Sequence, residues 1–348
     1  MMRRLLRRLL FALYLLVITF ALLEACARLW GYSERHIYDS IDQPFDAAPD
    51  EIPYVHKPNL REARARGLAR INTDSLGLRS KLTGERYGPH LAREFRIALV
   101  GDSVTFGEGV VHTEETFAQV LEDRLNQEQS EVRVKVFNFA ASAYSVGVME
   151  ATLRHRMLQV QPDLVLMAII PADFNLSRTP KVDRWGQLWD NKLSGFLLGD
   201  SRVWPVLRKV HLLYLLRDLI APRLDTGVKA EDILQGGSIP DSYSYLKAFH
   251  ETAEQHGLAH RIVLLPFLKS SFGKLPARLE QEGIPFLDLS SLGSKFTEEQ
   301  FRANKFDRHP SPLVHRSIGE TLAAHILDNH LMPSHERAEV NFSGPLPD

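Results

Sequence analysis

Gly101-Asp102-Ser103 and Asp307-Arg308-His309-Pro310 stand near opposite ends of the chain and between them hold a hydroxyl, an imidazole and a carboxylate. A serine hydroxyl is a weak nucleophile until a base takes its proton, and an imidazole does this best when a carboxylate fixes its tautomer. Ser103 as nucleophile, His309 as base and Asp307 as the group that orients the base supply these three roles. Asp307 and His309, two apart on an extended loop, can face one pocket. His315 is a rival base, but its position after Pro312 assigns it to a helix, where packing or surface exposure accounts for it. Asp102 reads as a turn-former that bonds nearby backbone amides.

Gly-Asp-Ser alone is a common tripeptide and far more often a structural turn. Its surroundings are what lift it. Phe95–Val100 (FRIALV) reads as a strand, and Gly107 and Gly109 loosen the turn behind it. In an open α/β sheet, ligands bind at the carboxyl ends of the strands. Further strands are expected at Val132–Val136, where valine alternates with Arg133 and Lys135, and at Leu164–Ile170, apolar throughout as for a central parallel strand. Two more fall at Arg261–Pro266 and Pro285–Leu289. Helices are expected between them: one capped by Thr113 and carrying Phe117, Val120, Leu121 and Leu125, one running to about Val160, and others near 241–256 and 274–282. A last helix carries Val314, Ile318, Leu322 and Ile326. Five strands alternating with helices imply a doubly wound parallel sheet. Ser103 and the Asp307/His309 pair each follow an expected strand, so they would gather at one edge.

Phe95–Val110 (FRIALVGDSVTFGEGV) closely resembles the first block of the GDSL, or SGNH, hydrolases, and Asp307–Gly319 (DRHPSPLVHRSIG) resembles their last. Ile71–Ser80 (INTDSLGLRS) is similar to the segment before the catalytic domain of membrane-anchored bacterial members. The resemblance spans roughly residues 70–330. It implies an α/β, three-layer α/β/α flavodoxin-like sandwich with a five-stranded parallel sheet, and ester hydrolysis by a serine without metal or other cofactor. The family places a glycine after the second strand, whose N–H serves the oxyanion hole; Ala143 stands there in NFAASAY. It places Asn-Asp after the third strand; here the run is Pro171-Ala172-Asp173-Phe174-Asn175, so Ala172 takes the asparagine slot and Asn175 is the candidate replacement donor. The oxyanion hole implied for this chain is therefore Ser103, Ala143 and Asn175. Asn175-Leu176-Ser177 also matches a glycosylation sequon.

At the other end of the chain, Leu9–Leu23 carries no charge and follows Arg3, Arg4, Arg7 and Arg8. Extended to Ala27, past Glu24, the run reaches the roughly 20 residues a membrane-spanning helix needs. Arginines on its leading side hold that end in the cytoplasm. A retained anchor is the expectation, with a cleaved signal peptide ending at Ala25-Cys26-Ala27, a lipid-modified Cys26 or a buried soluble helix as the alternatives. The organisation expected is a basic tip and anchor over 1–30, a stalk and extension over 31–92, a hydrolase domain over 93–335 and a tail over 336–348. A Trp-rich insertion at about 176–240, with Trp185, Trp189, Trp204 and an apolar helical run from Val206 to Ile220, is expected to be an added helical layer or a lid.

The 348 residues carry 42 Lys+Arg against 43 Asp+Glu, a formal charge of −1. With no basic cluster interleaved with aromatics, nucleic acid is not an expected partner. A single cysteine, Cys26, excludes an intrachain disulfide. Gly107-Glu108-Gly109 lacks the third glycine of a dinucleotide fingerprint, no phosphate-binding P-loop is present, and Asp307 and His309 have no further ligands clustered in sequence, so no metal is expected. The expected function is a membrane-anchored serine esterase outside the cytoplasm, removing acyl groups from an envelope polysaccharide or lipid. An O-acyltransferase using the same acyl-serine and a non-catalytic glycan-binding protein are the alternatives.

Overall fold

The computed structural model describes residues 2–128, 132–176, 180–189 except 184 and 187, 204–224, and 241–332 except 269. The principal elements in chain order are α1 (Met2–Trp30), β1 (Glu94–Gly101), α2 (Phe117–Glu128), β2 (Arg133–Asn138), α3 (Val146–His155), β3 (Leu164–Ile169), α4 (His211–Leu224), α5 (Ser244–Gln255), β4 (Ala259–Leu264), α6 (Leu275–Gln281), β5 (Phe286–Asp288) and α7 (Pro312–Asp328).

The strands pair in parallel in the spatial order β2-β1-β3-β4-β5. This is the doubly wound order whose direction reverses between β1 and β3, the place where such sheets hold ligands. Strand residues alternate between two cores because successive side chains point to opposite faces. Ala98, Val100, Val165, Met167, Ile169, Ile262 and Leu264 meet Val146 and Met149 of α3, Leu246 and Phe249 of α5, and Leu275 and Leu279 of α6. Ile97, Leu99, Leu164, Leu166, Ala168 and Val263 meet Phe117, Leu121 and Leu125 of α2 and Val314, Ile318 and Leu322 of α7. The result is the three-layer sandwich that the alternation of elements implies.

Two expectations need correcting. Thr113 opens a short 3-10 turn, and the residue that starts α2 is Thr116, whose Oγ1 accepts the Gln119 N–H at 3.4 Å and whose carbonyl accepts that of Val120 at 2.9 Å. The side-chain oxygen one residue before a helix meets the free amides of its first turn. The insertion is also not wholly helical. Lys181–Val182 and Leu188–Trp189 form a small antiparallel hairpin, while the apolar run is broken into Trp204–Leu207 and α4. Much of 176–240, and the tail from 333, lies outside the described residues.

The segment before β1 packs on the sandwich through short antiparallel pairings, Asp42–Gln43 with Val55–His56, and Ala63–Arg64, Arg70–Thr73 and Arg79–Ser80 in series. Ile52, Tyr54, Val55 and Leu78 join the core under α3, and Ile41, Ala63, Ala65, Ala69 and Ile71 close over Phe106 and Ala140. Those last two residues lie beside the carboxyl ends of β1 and β2, so the extension is built onto that edge of the sheet.

α1 is 29 residues long, about 44 Å at 1.5 Å per residue, and is long and apolar enough to cross a bilayer. Its last turns touch the body of the protein. Glu24 accepts the N–H of His211 at 3.1 Å and of Leu212 at 2.9 Å, capping the start of α4. Arg28 donates to the Lys209 carbonyl at 3.0 Å, and Trp30 sets its ring edge-on to Phe306 at 5.6 Å.

Candidate active site

β1 is buried along nearly its whole length and delivers its last residue, Gly101, into a space with no room for a side chain: a Cβ there would lie 2.1 Å from Thr105 Oγ1. The chain then turns. Asp102 caps a one-turn helix, Ser103–Phe106, by accepting the Val104 N–H at 2.9 Å, as expected of a turn-former. Its other oxygen lies 3.4 Å from Ser103 Oγ. Ser103 thus opens the turn with its hydroxyl turned toward the edge of the sheet.

Asp307 and His309 lie on a short strand, Asp307–Pro310, that pairs with Arg302–Asn304. Alternation along that strand puts both side chains on one side. His309 Nε2 is 2.8 Å from Ser103 Oγ, and His309 Nδ1 is 2.6 Å from Asp307 Oδ1, which also accepts the His309 backbone N–H at 3.1 Å. The three groups that the sequence analysis singled out are therefore hydrogen-bonded in series, with the tautomer assigned from that network: Nδ1–H donating to the carboxylate, Nε2 accepting from the hydroxyl.

Burial alone would pull the proton from His309. The negative charges of Glu108, Asp307 and Asp102 outweigh it, and the imidazole is raised to about 9. Glu108 is the residue sequence reasoning missed; it sits between two glycines and was noted only as part of a failed dinucleotide pattern. It returns to the site because the backbone folds back on itself, its N–H donating to the Ser103 carbonyl at 2.9 Å. Its carboxylate accepts the Ser142 hydroxyl at 2.7 Å.

Asp307 is buried beneath two glycines. A Cβ on Gly67 would come within 2.9 Å of Asp307 Oδ2 and 2.5 Å of the Gly109 nitrogen, and one on Gly109 would lie 2.6 Å from the Ala303 Cβ. Both have positive φ, 65° and 84°, so both glycines are required twice over, by backbone and by space. Arg79, in the segment whose resemblance was noted but whose role was not, is buried and donates to the carbonyls of Gly107 and Val110, each at 2.8 Å, and of Phe106 at 3.2 Å. It ties the loop behind Ser103 to the extension. Burial lowers its pKa to about 10, still high enough to keep the charge near neutrality.

His315, the rival base, is completely buried in α7. Its Nδ1 accepts the Phe117 N–H at 3.1 Å and its ring stacks on that of Phe117 at 5.7 Å. Burial first, then the positive charges of Arg79 and His309, push its pKa down to about 3, so it is a neutral core residue.

Ala143 takes a left-handed conformation, φ 62°, the one a glycine would adopt without strain. For an alanine this costs on the order of 1–3 kcal/mol and persists only where the surroundings fix it. Here they do. Tyr54 donates its hydroxyl to the Ser142 carbonyl, Tyr144 donates its own to the Tyr54 carbonyl, and the two rings meet edge to face at 5.5 Å. The N–H of Ala141, two residues earlier, bonds the Gly101 carbonyl at 3.2 Å, which holds this turn beside that of Ser103. Asn175 ends the 3-10 turn Pro171–Phe174 beyond β3, half-buried, with its own N–H on the Ala172 carbonyl at 3.1 Å. It follows the carboxyl end of β3.

No family model and no curated protein matches this chain. Among solved structures, the two-domain esterase (CEX) active on acetylated mannans aligns at 11% identity and TM-score 0.41 over 74% of this chain, which spans about half, 55%, of that one. The psychrotrophic esterase EstA from Pseudoalteromonas sp. aligns at 13% identity and TM-score 0.39 over 68% of this chain and 98% of its own. A lipolytic protein of the G-D-S-L family from Desulfitobacterium hafniense DCB-2 is likewise similar in chain trace, at 14% identity and TM-score 0.41 over 66% of this chain and 98% of its own.

Proposed function

We propose that this protein is a membrane-anchored serine ester hydrolase of the GDSL/SGNH type. One observation carries the reading: Ser103 Oγ, the His309 ring and the Asp307 carboxylate joined at 2.8 and 2.6 Å at the ligand-binding edge of the sheet. Ser103 attacks the ester carbonyl while His309 Nε2 takes its proton. His309 then returns that proton to the departing alcohol, leaving an acyl-serine. A water molecule, deprotonated by the same nitrogen, releases the acid. Asp307 holds the Nδ1 proton and steadies the imidazolium formed in each half of the cycle. The backbone N–H groups of Ser103 and Ala143, with the Asn175 amide, are assigned to the developing oxyanion, where loss of one donor typically costs about 3–4 kcal/mol.

α1 is assigned as a retained anchor with the enzyme body outside the cytoplasm. The Glu24 cap on α4 and the Trp30–Phe306 contact support this, since cleavage after Ala27 would remove the first and free the second. Phe306 adjoins Asp307, so the site lies next to the end of the anchor. That placement suits acyl groups carried on an envelope polysaccharide or lipid close to the membrane. In the test, the full-length protein in detergent is exposed to a fluorophosphonate probe and to short-chain aryl esters. Labelling on Ser103 and hydrolysis are expected. Intact glycan binding with neither labelling nor turnover would replace the enzyme by a binding protein.

The raised His309 pKa gives the reading a pH signature. The base must be neutral to act, and with a pKa near 9 only about 1% of it is neutral at pH 7. The value of kcat/KM should therefore climb about tenfold per pH unit up to about pH 9. Glu108→Gln removes the strongest of the charges holding the proton, so the limb should move to lower pH and the rate at pH 7 should rise. An unmoved limb would take Glu108 out of the electrostatics of the site.

A further inference from the structure

At the opposite rim of the sheet from Ser103, His250 and Glu254 stand one turn apart on α5 and face His260, the second residue of β4. Residues four apart project from the same side of a helix, which brings two potential ligands over the start of the strand. His250 Nδ1 and His260 Nε2 are 2.7 Å apart, with ring centroids 4.9 Å apart and planes inclined at 49°. Glu254 Oε1 lies 3.7 Å from His260 Nδ1, and one ligand atom from each of the three residues falls within 4.8 Å of the other two, so the exposed carboxylate has only to swing about its side-chain bonds to join an ion held at Nε2. His260 is 2% exposed, while Glu254 opens to solvent, leaving a way in.

We propose that His250, Glu254 and His260 form a binding site for a divalent transition-metal ion of the zinc class. Two imidazole nitrogens and one carboxylate oxygen are a usual protein donor set for such an ion, with water as the fourth ligand. The contact that would orient the His260 ring is already in place. His260 Nδ1 lies 3.2 Å from the Leu258 carbonyl, and a proton donated there leaves Nε2 free to bind metal, the arrangement found around most ligating histidines. The neighbouring cation is turned away, Arg261 donating to the His260 carbonyl at 2.7 Å. Without metal, His250 Nδ1–H donates to His260 Nε2; the ion takes the place of that proton, which moves through water to His250 Nε2 so that both imidazoles stay neutral, and the nitrogens part to the ~3.4 Å that tetrahedral coordination at about 2.1 Å requires. The ion would pin α5 to β4 and act on stability, far from the ester chemistry.

The full-length protein in detergent, stripped with a chelator, is titrated with Zn2+ by calorimetry and followed by thermal unfolding, alongside His250→Ala and Glu254→Ala. The wild type should bind one equivalent with a rise in unfolding temperature, because an ion that binds only the folded state stabilises it. Each variant should weaken that binding at least tenfold while keeping the wild-type circular dichroism. Glu254 is exposed, so its substitution leaves the fold intact and keeps the test decisive if His250→Ala unfolds. An absent wild-type isotherm, or equal affinity in wild type and Glu254→Ala, overturns the three-ligand site.

Discussion

Ser103→Ala should lower kcat for a short-chain aryl ester by about 10⁶-fold, the scale on which nucleophile and base fail together in serine enzymes. The variant leaves His309 and Asp307 paired but removes the hydroxyl that stands 2.8 Å from His309 Nε2, so the base has nothing to activate. No acyl-enzyme can form, so the burst of alcohol release and the fluorophosphonate label should vanish with it. What survives is transition-state binding by the oxyanion donors, which in such enzymes still gives about 10³–10⁴ over the uncatalysed rate. The loss should not come from unfolding. Ser103 opens a one-turn helix held by Asp102 and by the Glu108 N–H on its own carbonyl, and neither bond involves its hydroxyl. Stopped-flow kinetics and thermal unfolding measured together separate the two effects; wild-type turnover in the variant would remove Ser103 from its role.

Asp307→Asn should cost about 10⁴-fold in kcat, through the wrong tautomer rather than a lost contact. Asp307 Oδ1 accepts from both His309 Nδ1 and the His309 backbone N–H. An asparagine amide can satisfy the backbone N–H with its oxygen or meet the ring with its NH2 group. In the second arrangement Nδ1 becomes the acceptor and the proton moves to Nε2, facing Ser103 where a lone pair is needed. Loss of the carboxylate also removes one of the charges holding the proton on His309, so the acidic limb of the profile should fall below pH 9 while the plateau collapses. A loss smaller than tenfold would mean that Glu108 or Asp102 orients the ring in its place.

Much of the scaffold was legible because its elements obey simple periods. The strands found at 94–101, 133–138, 164–169, 259–264 and 286–288 overlap the runs expected from apolar and alternating patterns, and the helices between them follow the 3.6-residue repeat. Ser103, His309 and Asp307 could be singled out because chemistry restricts which residue types can serve as nucleophile, base and orienting carboxylate, and the structure joins the three by hydrogen bonds. What stayed hidden depends on contacts between distant segments. Strands two residues long, such as Asp42–Gln43, carry no period to read. Thr113 looks like the cap of α2, and only the fold gives that place to Thr116. Glu108 reaches His309 through a loop that doubles back, and nothing local marks it. For Ala143 the sequence posed the question of backbone shape, and the answer, a left-handed alanine, comes from two tyrosines, one of them almost ninety positions away.

The two glycines over Asp307 set a minimum length for the working enzyme. Because Gly67 belongs to the extension and Gly109 to the nucleophile's own loop, trimming the chain back to β1 would uncover the carboxylate, hydrate it and loosen its hold on the imidazole. A truncated protein starting there could retain its sheet and still be a poor catalyst. The cover over Asp307 is supplied from upstream of the sheet that positions Ser103.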